Sequence, residues 1–394
     1  MQIDLLTKPA YDLAALRDQF EVSQRGLVYL NHAGMSPLPI PVKNAMISAI
    51  EQMASDGSLA YNRIFDQTVP PLLEKTGQLL GCDPNEVAFV ESTSMGINLI
   101  ANSLPLKAGD NILLCDTEFP SNVYPWLNLG RKGIETIEVP TRSGGLSTEG
   151  LEEYRNAHTR VVAVSAVQFF SGRREDLTLI GQYCKDHGLW FVVDAMQAAG
   201  IIPINMLKMG IHALAAGGQK ALLGPPGQGI TAIRSELVEQ MSPVFAGPLS
   251  VHDWEHWLKY DLRFLPNARR FDMGTSNLAG LAGLLAAVTL ILELGTANIA
   301  DWVTHLSDVV IADLEMLGYR VITPQPPDDH AHIVTFAVDR NPSELVAGFQ
   351  QHGIILRAHE DALGNPYLRI SSHAYNSVED VQRVGKVLEE LNYE

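Results

Sequence analysis

Asp194 closes an apolar run over residues 189–193, Gln197 follows three residues later, and Lys220 stands inside the glycine-rich stretch 215–227. A carboxylate, an amide and an amine offered from neighbouring strand ends are what pyridoxal phosphate requires, because its electron sink works only when ring nitrogen and aldehyde are both held. The lysine is the residue that bonds covalently in such a site. Its neighbours, Ala216, Gly217, Gly218, Ala221 and Leu222, are apolar or glycine. Desolvation by such flanks lowers an amine's pKa and makes it a nucleophile at neutral pH. A nucleotide-binding P-loop needs glycine before the lysine and serine or threonine after it, and Gln219 and Ala221 occupy those places.

Each remaining candidate has an ordinary reading beside the chemical one. Asp194 at a strand-to-helix turn can be an N-cap, a role compatible with holding a pyridinium proton. Residues 91–98, Glu-Ser-Thr-Ser-Met-Gly-Ile-Asn, open a helix with hydroxyls and free amides that suit a phosphate, or simply cap the helix. Phe119 follows another strand end and could stack on a flat ring or belong to the core. Arg369 lies in an otherwise apolar strand, where its planar fork suits a bidentate carboxylate or a structural ion pair; Arg357 is the second candidate for that role. The 12 histidines show no metal-ligating spacing, so no metal site is expected. His359 and His373 read as solvated loop residues.

The elements that must position these groups follow from periodicity. Short β-branched runs at 87–90, 112–115, 161–165 and 191–193 predict strands, with a helix over 177–187 between two of them. That alternation means βαβ units and a mostly parallel sheet covered on both faces, with active groups at the carboxyl ends of strands. Residues 242–267 read as a long surface excursion whose Trp254, His256, Trp257 and Tyr260 line the pocket or pack at a dimer contact. A buried helix is expected over 278–292. Beyond about residue 298, helices at 300–317 and 377–391 flank strands at 332–338, 354–357 and 367–371, a compact α+β unit.

Bulk composition narrows the partners. The chain has 28 basic and 45 acidic side chains, a formal charge of -17, which repels nucleic acid and anionic membrane surfaces. Three cysteines without paired spacing argue for a reducing compartment, and residues 1–4 do not read as a secretion signal. The expectation is a cytoplasmic protein that takes a small-molecule substrate.

Taken together the segments resemble the class V aminotransferase family, fold type I pyridoxal-phosphate enzymes that include cysteine desulfurases and isopenicillin-N-epimerase-like proteins. The likeness runs nearly end to end, through residues 29–34, 94–98, 118–122, 167–177, 193–197, the Lys220 segment, 273–277 and 368–376. It implies a large cofactor-binding domain over 23–283 with a mostly parallel seven-stranded sheet, and a small domain made of 1–22 and 284–394. It also implies pyridoxal 5′-phosphate held as a Schiff base by Lys220, with Asp194 at the pyridinium, Gln197 at the ring oxygen and Phe119 stacked on the ring. Thr93 and Ser94 would hold the phosphate, Gln168 and Gln219 would join the cofactor contacts, and Arg369 would hold the substrate carboxylate. Thr275 falls where the family reaches the phosphate of a neighbouring subunit, which implies a homodimer.

Four positions depart from the family pattern. Gln219 stands where relatives carry histidine, Gly217 replaces serine or aspartate, and Phe119 replaces the stacking histidine of desulfurases. No cysteine lies between Arg357 and Arg369, where desulfurases carry their sulfur-accepting nucleophile. The expected activity is therefore that of a pyridoxal-phosphate enzyme acting at the Cα of an amino acid, an aminotransferase first. A C–S lyase or epimerase of the same fold, and a non-catalytic relative, are the alternatives. A dinucleotide oxidoreductase would need a spaced glycine fingerprint that is absent.

Overall fold

In a computed structural model, residues 8–141 and 145–393 are described; residues 1–4, read above for a targeting signal, lie outside them. A seven-stranded sheet forms the centre. Its strands are β2 (Val87–Val90), β3 (Asn111–Cys115), β4 (Glu135–Val139), β5 (Thr159–Ser165), β6 (Trp190–Asp194), β7 (Ala213–Gly217) and β8 (Gly229–Ile233), while the two-residue β1 (Val28–Tyr29) lies outside it. They lie in the order β2-β8-β7-β6-β5-β3-β4, and β8 alone runs against the rest. The carboxyl ends of the other six therefore share one edge.

Alternate residues of these strands enter opposite cores. Leu113, Val162, Val164, Phe191 and Val193 pack on one face, and Ile112, Leu114, Val161, Ala163 and Val192 on the other. Burial on both faces explains why the strands read as unbroken apolar runs, without polar alternation. Two glycines permit close approaches that fix the frame. A Cβ at Gly96 would lie 2.6 Å from the Cβ of Ala215, so the helix Thr93–Ser103 packs directly on β7. Gly172, at φ +75°, passes so near strand Ile333–Ala337 that a Cβ there would be 2.1 Å from the Ile333 carbonyl oxygen.

The helix expected over 278–292 runs Leu278–Leu294, with Leu284, Val288 and Ile291 buried against the helices Ile40–Asp56 and Ser58–Leu80. Among the described residues no single helix is long and apolar enough to cross a membrane.

Toward the C-terminus, β9 (Ile333–Ala337), β11 (Arg357–Glu360) and β12 (Pro366–Ser371) form a three-stranded antiparallel sheet in the order β11-β12-β9. The strand expected over 354–357 is divided. Ile354–Ile355 forms β10, parallel to β1, whereas Arg357 begins β11 in the other sheet. Ile354 is buried in the core while Arg357, three residues on, is exposed, and the chain changes partner between them. The 242–267 excursion holds a short 3-10 turn at Pro248–Ser250 and an antiparallel bridge between Val251 and Phe264, with Trp257 76% and Tyr260 91% exposed.

Candidate active site

At the shared carboxyl edge of the sheet lies a cavity of about 180 Å³ whose walls include Ser94, Phe119, Asp194, Gln197, Gln219 and Lys220. Asp194 ends β6, and its Oδ1 accepts the N–H of Met196 at 2.8 Å. No helix follows; residues 196–198 turn back, so the carboxylate caps a turn and faces the cavity. Burial pushes its pKa up to about 7, and neighbouring Glu118 adds to the rise. Lys220 is half-buried, and desolvation followed by the positive charge of Arg369 lowers its amine to about 8. Its Nζ sits 5.2 Å from the centroid of the Phe119 ring. Phe119 is 37% exposed and meets Phe169 edge to face, so it serves the mouth of the cavity instead of the core.

Gln197 donates its Nε2 to the Ala33 carbonyl at 3.0 Å, while its Oε1 is buried without a partner. Gln219 likewise keeps an unpartnered, buried Oε1. The helix Thr93–Ser103 begins at the cavity, with Ser92 Oγ accepting the Met95 N–H at 3.2 Å. Its first amides have no intrahelical acceptor. Ser94 Oγ is 2.7 Å from Ser121 Oγ, and both residues line the cavity.

Of the other expected contacts, Thr93 lines this cavity, whereas Gln168 and Thr275 do not. Thr93 lies at the helix start, and its hydroxyl accepts the Gly217 N–H at 2.8 Å and contacts Met196 Sδ at 3.1 Å, so it also ties the Lys220 loop to the helix. Gln168 is set behind the wall, its Nε2 donating to Glu118 at 2.8 Å. Thr275 is exposed and lines a different hollow, beside Met273 and Asn277. The aromatic residues of the 242–267 excursion also line a separate hollow within this chain.

Arg369 is buried and does not itself line the cavity; one guanidinium nitrogen donates to the carbonyl of Phe169, which does, at 2.7 Å, and its Nε has no partner. The two histidines read as solvated are not. His373 is wholly buried, with Nε2 3.0 Å from the Ala221 carbonyl and Nδ1 accepting the Ala374 N–H at 2.8 Å. His359 lies on β11 and packs edge-on to Phe169 and Phe170; burial and the nearby arginines push it down to about 3. Met196, Ser121 and Glu118 were missed by the sequence reading. Only the strand end before residues 118–122 marked that segment.

The residues fit a flat cofactor with a basic ring nitrogen. Two buried amide oxygens lack partners, the Asp194 carboxyl is held by one N–H and otherwise faces space, and a half-buried amine and an aromatic face stand opposite. The cavity thus offers an ionic grip for a ring nitrogen, a nucleophile for an aldehyde and helix-start amides for a phosphate.

Comparison with known proteins agrees with this geometry. The family model described as aminotransferase class-V matches residues 28–384. A probable cysteine desulfurase of Methanothermobacter thermautotrophicus is 27% identical, with 96% of each chain covered. The apo structure of cysteine desulfurase from Thermococcus onnurineus superposes with a TM-score of 0.88 at 26% identity, covering 98% of this chain and 99% of that one. The cystine C–S lyase C-DES, solved with cysteine persulfide, shares the fold with a TM-score of 0.84 at 23% identity over 93% of this chain and 98% of its own.

Proposed function

The chain belongs to the aminotransferase class-V family, whose cofactor is pyridoxal 5′-phosphate, and on that premise we propose that it breaks the carbon–sulfur bond of a sulfur-containing amino acid by β-elimination. The overall change is balanced: a cysteine derivative R–S–CH2–CH(NH3+)–CO2− and water give R–SH, pyruvate and ammonium. Likeness to cysteine desulfurases over nearly the whole chain supports C–S cleavage ahead of the transamination expected first from sequence. One observation carries the choice of elimination over desulfuration through the protein's own thiol. Cys115 and Cys184 are buried, and Cys82 lies in a separate hollow with Leu207 and Arg234. No cysteine stands on the β11–β12 hairpin. This placement supports release of the sulfur as a small molecule.

The cofactor, when bound, supplies a sink for the electron pair released as the Cα–H bond breaks. Lys220 Nζ, partly neutral near pH 8, takes that proton as general base and returns one to the departing sulfur. Asp194 holds a proton at the ring nitrogen, and Gln197 and Gln219 offer acceptors within the wall. Arg369 holds the α-carboxylate through its free Nε and the rest of its fork. A homodimer belongs to the same reading, with the exposed Thr275 of one protomer reaching the phosphate of the other.

The test is to incubate the purified holoenzyme with L-cysteine, L-cystine and an S-alkyl cysteine while measuring pyruvate, ammonia and released thiol. Equal amounts of the three, undiminished after alkylation of the protein's thiols, are expected. Alanine together with a protein-bound persulfide would refute elimination, and keto acid with conversion of the cofactor to its amine form would restore transamination.

A further inference from the structure

Behind the wall that carries Asp194 lies a second carboxylate, Glu118, buried and outside the cavity lining. It follows β3 and reaches over the end of β5. Its Oε1 accepts the Ser165 N–H at 2.7 Å and Gln168 Nε2 at 2.8 Å, and its Oε2 accepts Ser165 Oγ at 2.5 Å and Asn122 Nδ2 at 2.9 Å. The orientation of Asn122 is fixed, because its Oδ1 accepts the indole N–H of Trp126 at 3.1 Å and an indole can only donate. The Ser165 N–H can only donate as well. Three of the four partners are thus amide or backbone donors, an arrangement that satisfies a carboxylate and leaves no acceptor for a carboxylic acid proton except the Ser165 hydroxyl. The oxygens are filled and no cation is among their hydrogen-bond partners; burial raises the pKa of Glu118 itself, and the bonds from Ser165, Asn122 and Gln168 oppose that rise.

Ser165 connects this group to the cavity. Its Cα is paired with that of Asp194 across β5 and β6, the Ala166 N–H donates to the Asp194 carbonyl at 2.9 Å, and Ser165 itself lines the cavity. We propose that Glu118 is a positioning residue that fixes the end of β5 and places a second buried negative charge behind Asp194, so that the wall meeting the cofactor's ring nitrogen retains its proton more firmly than one carboxylate alone. Titratable groups facing Glu118 come from three elements: Cys115 on β3, Asp194 on β6 and Glu175 before the helix Leu177–His187. Burial pushes all three upward and each is raised further by Glu118, so none of them neutralises its charge. In a site shielded from water a charge one layer back still acts at a few ångströms' remove. The inference rests on the assignment of Asp194 to the ring nitrogen and not on which substrate bond is cleaved.

The experiment compares Glu118→Gln, which removes the charge, with Glu118→Asp, which keeps it, and takes Asp194→Asn as reference. Dissociation of pyridoxal 5′-phosphate and of its 1-deaza analogue, which has carbon in place of the ring nitrogen, is measured at pH 8 beside the melting temperature of each apo protein. Glu118→Gln is expected to weaken pyridoxal phosphate about tenfold more than Glu118→Asp does, at similar loss of apo stability, and to weaken the deaza analogue no more than Glu118→Asp does. Equal losses in both variants, or equal losses for both ligands, would reduce Glu118 to a structural role and overturn the proposal. If Asp194→Asn binds as tightly as the unaltered protein, the assignment of Asp194 fails and this inference falls with it.

Discussion

Arg357 and Arg369 stand directly opposite each other on the antiparallel strands β11 and β12. Residues opposed in this way share one face of a sheet, and like charges there repel by about 0.2–1 kcal/mol. Neither is paired with a carboxylate among the described residues, and Arg369 donates to the Phe169 carbonyl. Such a pair is relieved by an anion. Arg369→Gln should raise KM for an amino acid substrate roughly 10- to 100-fold, the loss of a charge-assisted bond worth about 1.5–3 kcal/mol, with kcat less affected. Arg357→Gln should leave the apo protein at least as stable as before. Steady-state kinetics and thermal melts check both; an unchanged KM in Arg369→Gln would remove it from the substrate site.

Gly217 and Gln219 act as a pair. A Cβ on Gly217 would lie 2.8 Å from Gln219 Oε1 and 3.2 Å from Met196 Sδ. Both neighbours are ends of flexible side chains, so Gly217→Ser should cost about 1 kcal/mol in stability, the low end of what overpacking costs. It should instead swing the Gln219 amide and alter cofactor affinity, an effect that disappears in the Gln219→Ala background. Cofactor titrations of the two single variants and the double variant measure the coupling.

Lys220 sets a pH dependence whose sign follows from its lowered amine. The unfolded chain holds this proton up to about pH 10.4, the folded one only to about 8. Between these values the unfolded state binds more protons, so stability rises with pH, and below 8 the full penalty of the buried charge is present. Apo Lys220→Met should therefore exceed the apo parent in stability by about 1–3 kcal/mol below pH 8, with the gap closing toward pH 10.5. Denaturant melts across that range are decisive; a constant difference would mean that the amine is not desolvated.

His373 works at the acid end. Burial lowers it to about 4, whereas the unfolded residue titrates near 6.5. Stability is complete above pH 6.5 and falls as pH drops toward 4, by up to about 3 kcal/mol from this residue. His373→Gln can still donate to the Ala221 carbonyl and carries no titrating ring. Its melting temperature should depend less steeply on pH between 6.5 and 4 than that of the parent, and an identical slope would contradict the burial argument.

Much of this site is legible in the sequence. Lys220, Asp194, Gln197 and Phe119 come together around one cavity because each was marked by a strand end or a glycine loop. Such ends announce themselves locally, through apolar runs that stop. The helix Leu177–His187 and the strand Val87–Val90 have the bounds that periodicity predicted. Where the reading failed, the deciding partner was distant in sequence. Gln168 was expected among the cofactor contacts, yet its amide is turned to Glu118, 50 residues away. His373 looked solvated, yet it is enclosed beside the Ala221 carbonyl, 152 residues away.

By itself, then, the sequence determined the sheet, the lysine at its edge and the acid beside it, since hydrophobic periodicity and turn chemistry depend on near neighbours alone. Tertiary structure decided which polar groups remain unpaired and which acids lie in the dark behind the wall: Glu118 beneath Ser165, Gln168 turned away, Gln219 left with a bare oxygen. Burial and hydrogen-bond saturation are properties of the assembled surroundings, and only the closed fold says which donor meets which acceptor.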